Sequence, residues 1–177
     1  MNDKPVVKII GAGLAGCEAA YQAAKLGVKV ELYEMKPVKF SPAHHNPDFA
    51  ELVCSNSLRS NDPSNAVGLL KEELSAMGSL IMEAAYATAV PAGSALAVNR
   101  NDFSRYITKK IKSNENITVY NKEVDYIPND AITVIATGPL TSDALSARIA
   151  DMTGGTELHF FDAAAPIVDF PTIHPEV

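Results

Sequence analysis

The segment 51–59, with the sequence ELVCSNSLR, carries the side chain best suited to covalent chemistry, the thiol of Cys54. A thiolate becomes a useful nucleophile or base when nearby cations and hydrogen-bond donors lower its pKa from the ordinary value of about 8.5. Arg59, His44 and His45 are the cationic side chains within reach along the sequence. Cys54 is therefore a candidate reactive thiol, although isolated cysteines also serve as small buried hydrophobic residues.

The remaining cysteine and the histidines predict no metal site. Cys17 directly follows Gly16 within a predicted helix, where packing alone explains it. His44 and His45 are adjacent, a spacing poorly suited to joint ligation, and no CxxC or HxxxH pair completes a zinc site. Two cysteines without a secretory leader predict free thiols and a cytoplasmic location.

A glycine-rich turn in residues 5–34 predicts a nucleotide-binding unit. An apolar run, the turn GAGLAG at 11–16, an alanine-rich helix and a second apolar run follow one another. In such a unit Gly11 makes the tight turn, Gly13 lets the backbone approach a pyrophosphate, and Gly16 lets the helix pack closely. The turn residues assigned to the cofactor are Gly11, Ala12, Gly13, Leu14, Ala15 and Gly16.

Two further features define the expected nucleotide. The helix amino end favours a pyrophosphate, since its free N–H groups and dipole attract negative charge. Glu34 lies eighteen positions after Gly16, near the roughly 20-residue offset of a carboxylate that binds an unphosphorylated ribose. This acid argues against NADP at the site. A later strand that runs into Ala136, Thr137 and Gly138 resembles the second FAD contact of large flavoproteins and favours FAD over NAD.

The elements that position these residues alternate between strands and helices. A first helix, roughly Leu14 to Leu26, is expected to pack through a face of small residues, namely Ala15, Ala19, Ala20 and Ala23. Residues 35–65 are interrupted by prolines and predict an irregular excursion that carries Cys54, with one helical turn at 49–53.

The second half of the chain continues the pattern. Asn65 is predicted to cap a helix that Gly78 weakens, with inward residues Ala66, Leu70, Leu74, Met77 and Ile81. Asn101 is predicted to cap another helix, whose inward residues are Phe103, Tyr106, Ile107 and Ile111. Strands are predicted at 95–98, 117–120, 123–127 and 132–136. This order predicts an α/β fold of Rossmann type, with a mostly parallel sheet between helical layers.

Length and charge limit the function classes. The 177 residues suffice for one domain or for part of a larger one. No apolar run approaches the ~18 residues of a membrane span, so no membrane association is expected. The formal charge of −6 opposes a broad nucleic-acid surface, and any such site must be local.

Several segments together resemble the folate- and FAD-dependent tRNA (uracil-5-)-methyltransferases, the TrmFO family of the GidA/MnmG-like flavoprotein superfamily. The matching segments are GAGLAG at 11–16, LYEMKP at 32–37, PAHH at 42–45, ELVCSNSLR at 51–59, NAVG at 65–68, VPAG at 90–93 and ATGPLTS at 136–142. The Cys54 and PAHH segments are the most specific, and the Cys54 segment argues against MnmG itself.

The resemblance implies a tRNA-modifying enzyme that forms 5-methyluridine in the T-loop. It implies bound FAD, methylenetetrahydrofolate as one-carbon donor, NAD(P)H as electron donor and tRNA as partner. In the family two cysteines serve the uracil: one adds to C6 and the other helps to remove the C5 proton. Cys54 matches one of them, with its role open. Besides the glycine turn and Glu34, we assign to the cofactor Met35, Lys36, Arg100, Ala136, Thr137 and Gly138.

The resemblance also implies that residues 1–177 are the N-terminal part of an FAD-binding domain. The segment that completes the FAD fold, the substrate domain and the second cysteine are then expected beyond Val177. We expect an engineered truncation, a split gene product or a damaged copy, inactive alone. Two alternatives stay open: a generic FAD-binding oxidoreductase module with a structural Cys54, and a non-catalytic nucleotide-binding fragment completed by a partner chain.

Overall fold

The computed structural model describes residues 5–155. It begins with the predicted strand–helix–strand unit: β1 (Val6–Ile10), α1 (Leu14–Lys25) and β2 (Lys29–Glu34). The helix ends where predicted, because Gly27 adopts a φ of +79° that a continuing helix does not permit. The part of the sequence interpretation that concerns residues 156–177 lies outside the described residues.

The main sheet contains four parallel strands in the order β6, β2, β1, β7, where β6 is Ile117–Asn121 and β7 is Ile132–Ile135. The register pairs Ile10 with Tyr33 and with Ile135, and Glu34 with Asn121. The carboxyl ends of these strands therefore meet at one edge, where ligands bind in open α/β sheets. The mostly parallel α/β fold predicted from the sequence is confirmed.

A small antiparallel sheet and three helices lie between β2 and β6. Its strands, in the order β3, β5, β4, are Ser57–Ser60, Ala95–Val98 and Ala89–Val90. The helices are α2 (Ala66–Ala76), α3 (Leu80–Ala87) and α4 (Arg100–Lys112). After β7 a short 3-10 helix, Gly138–Leu140, leads to α5 (Asp143–Thr153).

Apolar side chains cover both faces of the main sheet. On one face α1, α3 and α4 contact one another, and they bury a core that includes Ile9, Leu32, Phe103, Ile107 and Ile111. On the other face Leu145 of α5 and Val124 pack against Ile10 and Tyr33. Within residues 5–155, no helix combines the length and apolarity that crossing a bilayer requires.

Two predictions about the first half were wrong in detail. The buried face of α1 consists of Gly16, Cys17, Ala20 and Ala24, whereas Ala15 is exposed. The helical turn predicted at 49–53 does not form. Ala50 has a φ of +50°, and its N–H donates to the Ala12 carbonyl at 2.9 Å, so tertiary contacts fix this backbone instead of a helical ladder.

Three predictions about the second half also need correction. The helix begun by Asn65 ends at Ala76, because Gly78 (φ +71°) breaks it, and Leu70 and Met77 are exposed. The cap of α4 is Asn99, whose side chain accepts from the N–H groups of Asn101 and Asp102. The segment 123–127 forms no strand, since its apolar residue Val124 packs onto the sheet face rather than beside an edge.

Candidate functional site

A cavity opens at the carboxyl ends of β1, β2 and β7. Among the residues assigned to the cofactor, those that line it are Gly11, Ala12, Gly13, Glu34, Met35, Lys36, Ala136 and Thr137. Leu14, Ala15, Gly16, Gly138 and Arg100 do not line it. The cavity thus brings together the glycine turn, the acid that ends β2 and the Ala-Thr segment after β7.

The glycine turn is built by close backbone approach. A side chain at Gly11, where φ is +99°, would place its Cβ 2.7 Å from the Ala136 carbonyl oxygen. A Cβ at Gly16 would lie 1.8 Å from the Gly11 carbonyl oxygen. These two glycines therefore let the turn, α1 and the end of β7 pack together, which is the role predicted for Gly16.

The start of α1 fits an anionic group. Gly13 is its N-cap and provides no side-chain hydrogen bond, and the first turn contains no acidic residue. The first N–H groups of a helix have no partner within the helix, and its dipole favours negative charge there. A Cβ at Gly13 would meet no atom within 4 Å, so the space beside this backbone is open to a ligand. This arrangement fits a pyrophosphate.

Glu34 holds the turn and faces the cavity. One carboxylate oxygen accepts the Ala12 N–H at 2.8 Å, and the other accepts the Lys36 N–H at 3.0 Å. The residue is buried, with 8% exposure. Each carboxylate oxygen has a second lone pair, so the acid can hold the backbone and still accept ribose hydroxyl groups. Its role as a ribose anchor stays a prediction.

Lys36 uses its ammonium inside the protein. Its Nζ donates to the carbonyl oxygens of Asn46 (2.9 Å) and Asp48 (2.6 Å) and pairs with Glu51 at 3.3 Å. The other oxygen of Glu51 accepts the N–H groups of His45 and Asn46, both at 3.0 Å. We call this arrangement of Lys36 and Glu51 the clasp. It fixes residues 45–51, so Lys36 supports the cavity wall and its ammonium is not available to a ligand.

Two titratable groups beside the cavity have shifted pKa values. Burial acts to raise the pKa of Glu51, but the His45 and Asn46 N–H groups and the Lys36 ammonium outweigh it and hold the pKa below its usual value. Burial, followed by the positive charge of Lys36, lowers the pKa of His44. The wall therefore contains a charged carboxylate and a neutral imidazole at neutral pH.

Further residues of the cavity were missed at the sequence level. Tyr33 lines the cavity and stacks on Tyr120, which is not part of the lining, with ring centroids 5.0 Å apart, and the Lys122 ammonium lies 5.3 Å from the Tyr33 centroid. Lys122 and Val124 line the cavity because they follow the carboxyl end of β6, the neighbour of β2. The available signal was this strand position, since the carboxyl ends of adjacent parallel strands share one edge.

The two cysteines have different surroundings. Cys17 is fully buried, its Sγ lies 3.3 Å from the Ala12 carbonyl oxygen, and burial strongly raises the pKa of its thiol. Cys54 is exposed and free, outside the first cavity. Its carbonyl accepts from the Arg100 guanidinium at 2.9 Å. Arg59 is exposed on β3 with a φ of +66°. Within residues 5–155, no cluster of side chains suited to a metal ion is found.

Arg100 belongs to a second cavity, which shares Glu51 with the first. This second cavity lies between the excursion and the start of α4. It is lined by Ala43, His45, Asn46, Pro47, Glu51, Leu52, Val53, Arg100, Asn101 and Ser104. The clasp residue Glu51 is therefore part of the wall between the first cavity and the second cavity, which Val53 and Arg100 line.

Comparisons with known proteins show the family of this chain. A family model described as glucose inhibited division protein A matches residues 6–177. The chain is 64% identical over 167 residues to the methylenetetrahydrofolate--tRNA-(uracil-5-)-methyltransferase TrmFO of Acetivibrio thermocellus, which covers 94% of this chain and 38% of that protein. It is 58% identical over 171 residues to the protein of the same name from Lactobacillus delbrueckii subsp. bulgaricus, with coverages of 97% and 39%.

A solved structure supports the fold. The Aquifex aeolicus GidA structure matches with a TM-score of 0.60 at 20% identity, covering 77% of this chain and 25% of that one. The chain spans about two fifths of the length of the curated relatives it matches.

Proposed function

The chain belongs to the glucose inhibited division protein A family, and on that premise we propose that it forms the N-terminal part of the FAD-binding domain of a methylenetetrahydrofolate-tRNA-(uracil-5-)-methyltransferase. The names of its relatives at 58–64% identity support this activity. The observation that carries the proposal is the cavity in which the glycine turn and the buried Glu34 carboxylate meet at one sheet edge.

The polar groups of the cavity complement those of a flavin dinucleotide. The uncapped start of α1 and the open space at Gly13 suit the pyrophosphate, and the free lone pairs of Glu34 suit the adenosine ribose. Ala136 and Thr137 form the opposite wall, while Met35 and the stem of Lys36 continue the wall after β2. FAD bound here would supply an electrophilic carrier for the one-carbon unit and accept electrons from NAD(P)H.

Cys54 is the residue of this chain proposed to act on the uracil. C5 of uracil is a poor nucleophile until a thiolate adds at C6. An exposed free thiol on the excursion is available for that addition or for removal of the C5 proton, and both roles stay open. The target base must leave its stack in the tRNA to reach the thiol. The co-substrates are methylenetetrahydrofolate and NAD(P)H, and the compartment is the cytoplasm.

Flavin binding is tested first, on the purified chain. We expect titration with FAD to quench flavin fluorescence with a saturable isotherm, and FMN, which lacks the adenosine, to bind much more weakly. A chain that does not bind FAD, or that prefers NAD, would contradict the assignment of the cavity.

The methyltransferase activity is tested in a chimera. Residues 6–168 of this chain replace the matching segment of the Acetivibrio thermocellus protein, which supplies the rest of the length. With unmodified tRNA, FAD, the folate and NADPH, we expect 5-methyluridine, and we expect none from the Cys54→Ala chimera. A different pair of results would indicate an oxidoreductase module: the parent chimera methylates no tRNA, and the Cys54→Ala chimera still reduces its flavin.

A further inference from the structure

The second cavity is a groove that is open to solvent. Its walls are mixed in character. Ala43, Pro47, Leu52 and Val53 supply apolar surface, while the polar groups come chiefly from the first turn of α4 and from His45. Ligand sites typically combine such apolar walls with a few hydrogen-bonding groups that fix the orientation of the ligand.

The polar groups of this cavity are available to a ligand. Arg100 and Asn101 are both exposed, and within residues 5–155 the Asn101 amide makes no side-chain hydrogen bond. The Arg100 guanidinium uses one nitrogen, Nη2, for the Cys54 carbonyl, which leaves further N–H donors of its five. The site therefore offers a cationic donor together with an amide that both donates and accepts.

The position of the cavity relates it to both parts of the proposed reaction. Arg100 joins it directly to the backbone of Cys54, and Val53 lines it. On the other side it shares the Glu51 wall with the nucleotide cavity. The clasp holds that wall, because Lys36 and two backbone N–H groups occupy the Glu51 carboxylate. A planar ring held by Arg100 in the second cavity would thus lie beside the backbone of the residue that carries the thiol, and next to the wall shared with the first cavity.

We propose that the second cavity binds the target uracil, with the Arg100 guanidinium on O4 and the Asn101 amide on N3–H; this assignment rests on the proposed function. Uracil presents two carbonyl acceptors and one N–H donor, which complement these side chains. O4 is the carbonyl next to the reacting carbon C5. We assign Arg100 to O4 because its guanidinium is the donor that contacts the backbone of Cys54.

Arg100 then has a chemical role as well as a binding role. When a thiolate forms a bond to C6, the C5–C6 π electrons move toward C5 and O4 and give an enolate. A guanidinium on O4 stabilises that developing negative charge and stays protonated throughout. C5 of the enolate then forms a bond to the one-carbon unit, as an electron pair that joined this unit to its carrier moves onto the carrier. Loss of the C5 proton restores the C5–C6 double bond as the C6–S bond breaks and the thiolate is regenerated, and two electrons from the proposed co-substrate NAD(P)H reduce the methylene to methyl. The step needs no oxidant, and Arg100 is a catalytic residue in it.

The same contacts select uracil over cytosine. Cytosine carries an amino group in place of O4 and a bare nitrogen in place of N3–H. The cytosine amino group and the Arg100 guanidinium are both hydrogen-bond donors, so they could not pair with each other. Leaving these polar groups without partners lowers the affinity for cytosine. Arg100→Lys keeps the positive charge but loses the planar fork of donors, so it is the informative substitution. Arg105→Lys is the matched control, because Arg105 lies on the same helix, pairs with Asp102 and does not line the cavity.

The first experiment measures alkylation of Cys54 by iodoacetamide, resolved by mass spectrometry, in the 177-residue chain. The buried Cys17 provides an internal reference for folding. At about 20 mM uridine, well above a dissociation constant of about 1 mM, we expect the alkylation rate of Cys54 to fall at least twofold. The same concentration of cytidine should leave the rate unchanged. Uridine should slow alkylation in Arg105→Lys and not in Arg100→Lys.

Three results would overturn the assignment: no slowing by uridine in the parent chain, equal slowing by cytidine, or uridine protection that survives in Arg100→Lys. The chimera separates this assignment from the proposed function. There we expect Arg100→Lys to lower kcat at least about tenfold with FAD affinity unchanged. Methylation that Arg100→Lys leaves intact would refute the uracil site alone. Selective protection by uridine without any methylation would support the site and refute the methyltransferase function.

Discussion

Two glycines of the same turn have opposite physical requirements. Gly16 packs against backbone, because its Cβ would lie 1.8 Å from the Gly11 carbonyl oxygen, whereas Gly13 faces open space at an ordinary φ of −73°. We expect Gly16→Ala to lower the free energy of unfolding by about 3 kcal/mol or more, and Gly13→Ala by less than about 1 kcal/mol. Gly13→Ala should nevertheless weaken FAD binding, since its methyl group occupies the space assigned to the pyrophosphate.

Urea unfolding and flavin fluorescence titration check this pair of variants. If Gly16→Ala were as stable as the parent chain, the close approach would be wrong. If Gly13→Ala bound FAD normally, the pyrophosphate would lie elsewhere.

Glu34 is expected to be sensitive to loss of charge even where its shape is kept. In Glu34→Gln one oxygen becomes an NH₂ group that faces either the Ala12 or the Lys36 N–H, donor to donor. We expect a loss of about 1–3 kcal/mol in the free energy of unfolding and at least tenfold weaker FAD binding. Glu31→Gln is the control on the same strand, because Glu31 is partly exposed and lines neither cavity. If the two substitutions changed FAD affinity equally, the assignment of Glu34 to the FAD site would be wrong.

Residue types and spacing predicted the glycine turn and Glu34, because both depend on a local sequence that leaves few alternatives. They did not predict that the Lys36 ammonium points away from the ligand cavity into the clasp. Its carbonyl partners lie ten and twelve residues further on, in backbone without a repeating pattern. Spacing alone carries no information about such contacts. Arg100 was assigned to the cofactor by resemblance, which stays a prediction, and spacing did not show that the fold places its guanidinium on the Cys54 carbonyl.

At the scale of elements, the irregular segment between β2 and β3 depends on the clasp. Lys36→Met removes one partner of a pair whose side chains are only 5% and 13% exposed. Because Glu51 is then left as an uncompensated, largely buried charge, we expect a loss of about 3–5 kcal/mol in the free energy of unfolding. Lys39→Met is the matched control, since its exposed pair with Glu123 is worth less than about 1 kcal/mol. Urea unfolding of both variants measures the difference, and similar losses would show that the clasp adds nothing.

The clasp also predicts a dependence of stability on pH. The pKa of Glu51 is lower in the folded chain than its ordinary value of 4.5, so the unfolded state binds more protons near that pH. The stabilisation is complete above the unfolded pKa and is lost as the pH falls through the folded pKa. We expect the stability advantage of the parent chain over Glu51→Gln to shrink as the pH falls below the ordinary value of 4.5 toward the lower pKa of the folded chain. An advantage that is constant across this range would contradict the role of the Glu51 charge.

Helices and strands could be predicted where a single periodic pattern of apolar residues extends along the whole element. They were harder to predict where a capping residue or a glycine sets the boundary of the element. Strand β5 and the apolar face of α4 followed the pattern. The helix predicted through Gly78 divides in two, because Ser79 begins α3 with its own cap on the Met82 N–H. Asn99 and Asn101 are equally good capping residues in sequence, and the backbone that leaves β5 decides between them. The apolar residues at 123–127 resembled a strand. Val124 instead packs on the face of the sheet, which requires no backbone hydrogen bonds to a neighbouring strand.

For the whole molecule, a ligand that binds only the folded chain must raise its stability. The first cavity joins β1, β2, β7 and α5, which all pack around one sheet edge. At a free FAD concentration of 100 times the dissociation constant, the gain is about 2.7 kcal/mol, or roughly 5–10 °C in Tm for a chain of this size. Thermal melts with FAD test this, with Gly13→Ala as the variant that should not respond. A parent chain whose Tm ignores FAD would contradict the cavity assignment.

The layered α/β architecture could be predicted from the sequence because alternating strands and helices allow few parallel topologies. The small antiparallel sheet could not, since β4 has only two residues and β3 lies inside a proline-interrupted segment. The second cavity was also beyond prediction. It exists only because long-range contacts place the excursion against α4, such as the Arg100 guanidinium to the Cys54 carbonyl at 2.9 Å and the Phe49 N–H to the Thr108 hydroxyl at 2.8 Å.

The pairing of Lys36 with Glu51 limits how this chain can change over generations. Replacing either residue alone strands a buried charge or two backbone N–H groups, so the first of two successive substitutions passes through a weakened protein. We therefore expect Lys36 and Glu51 to be replaced together rather than one at a time.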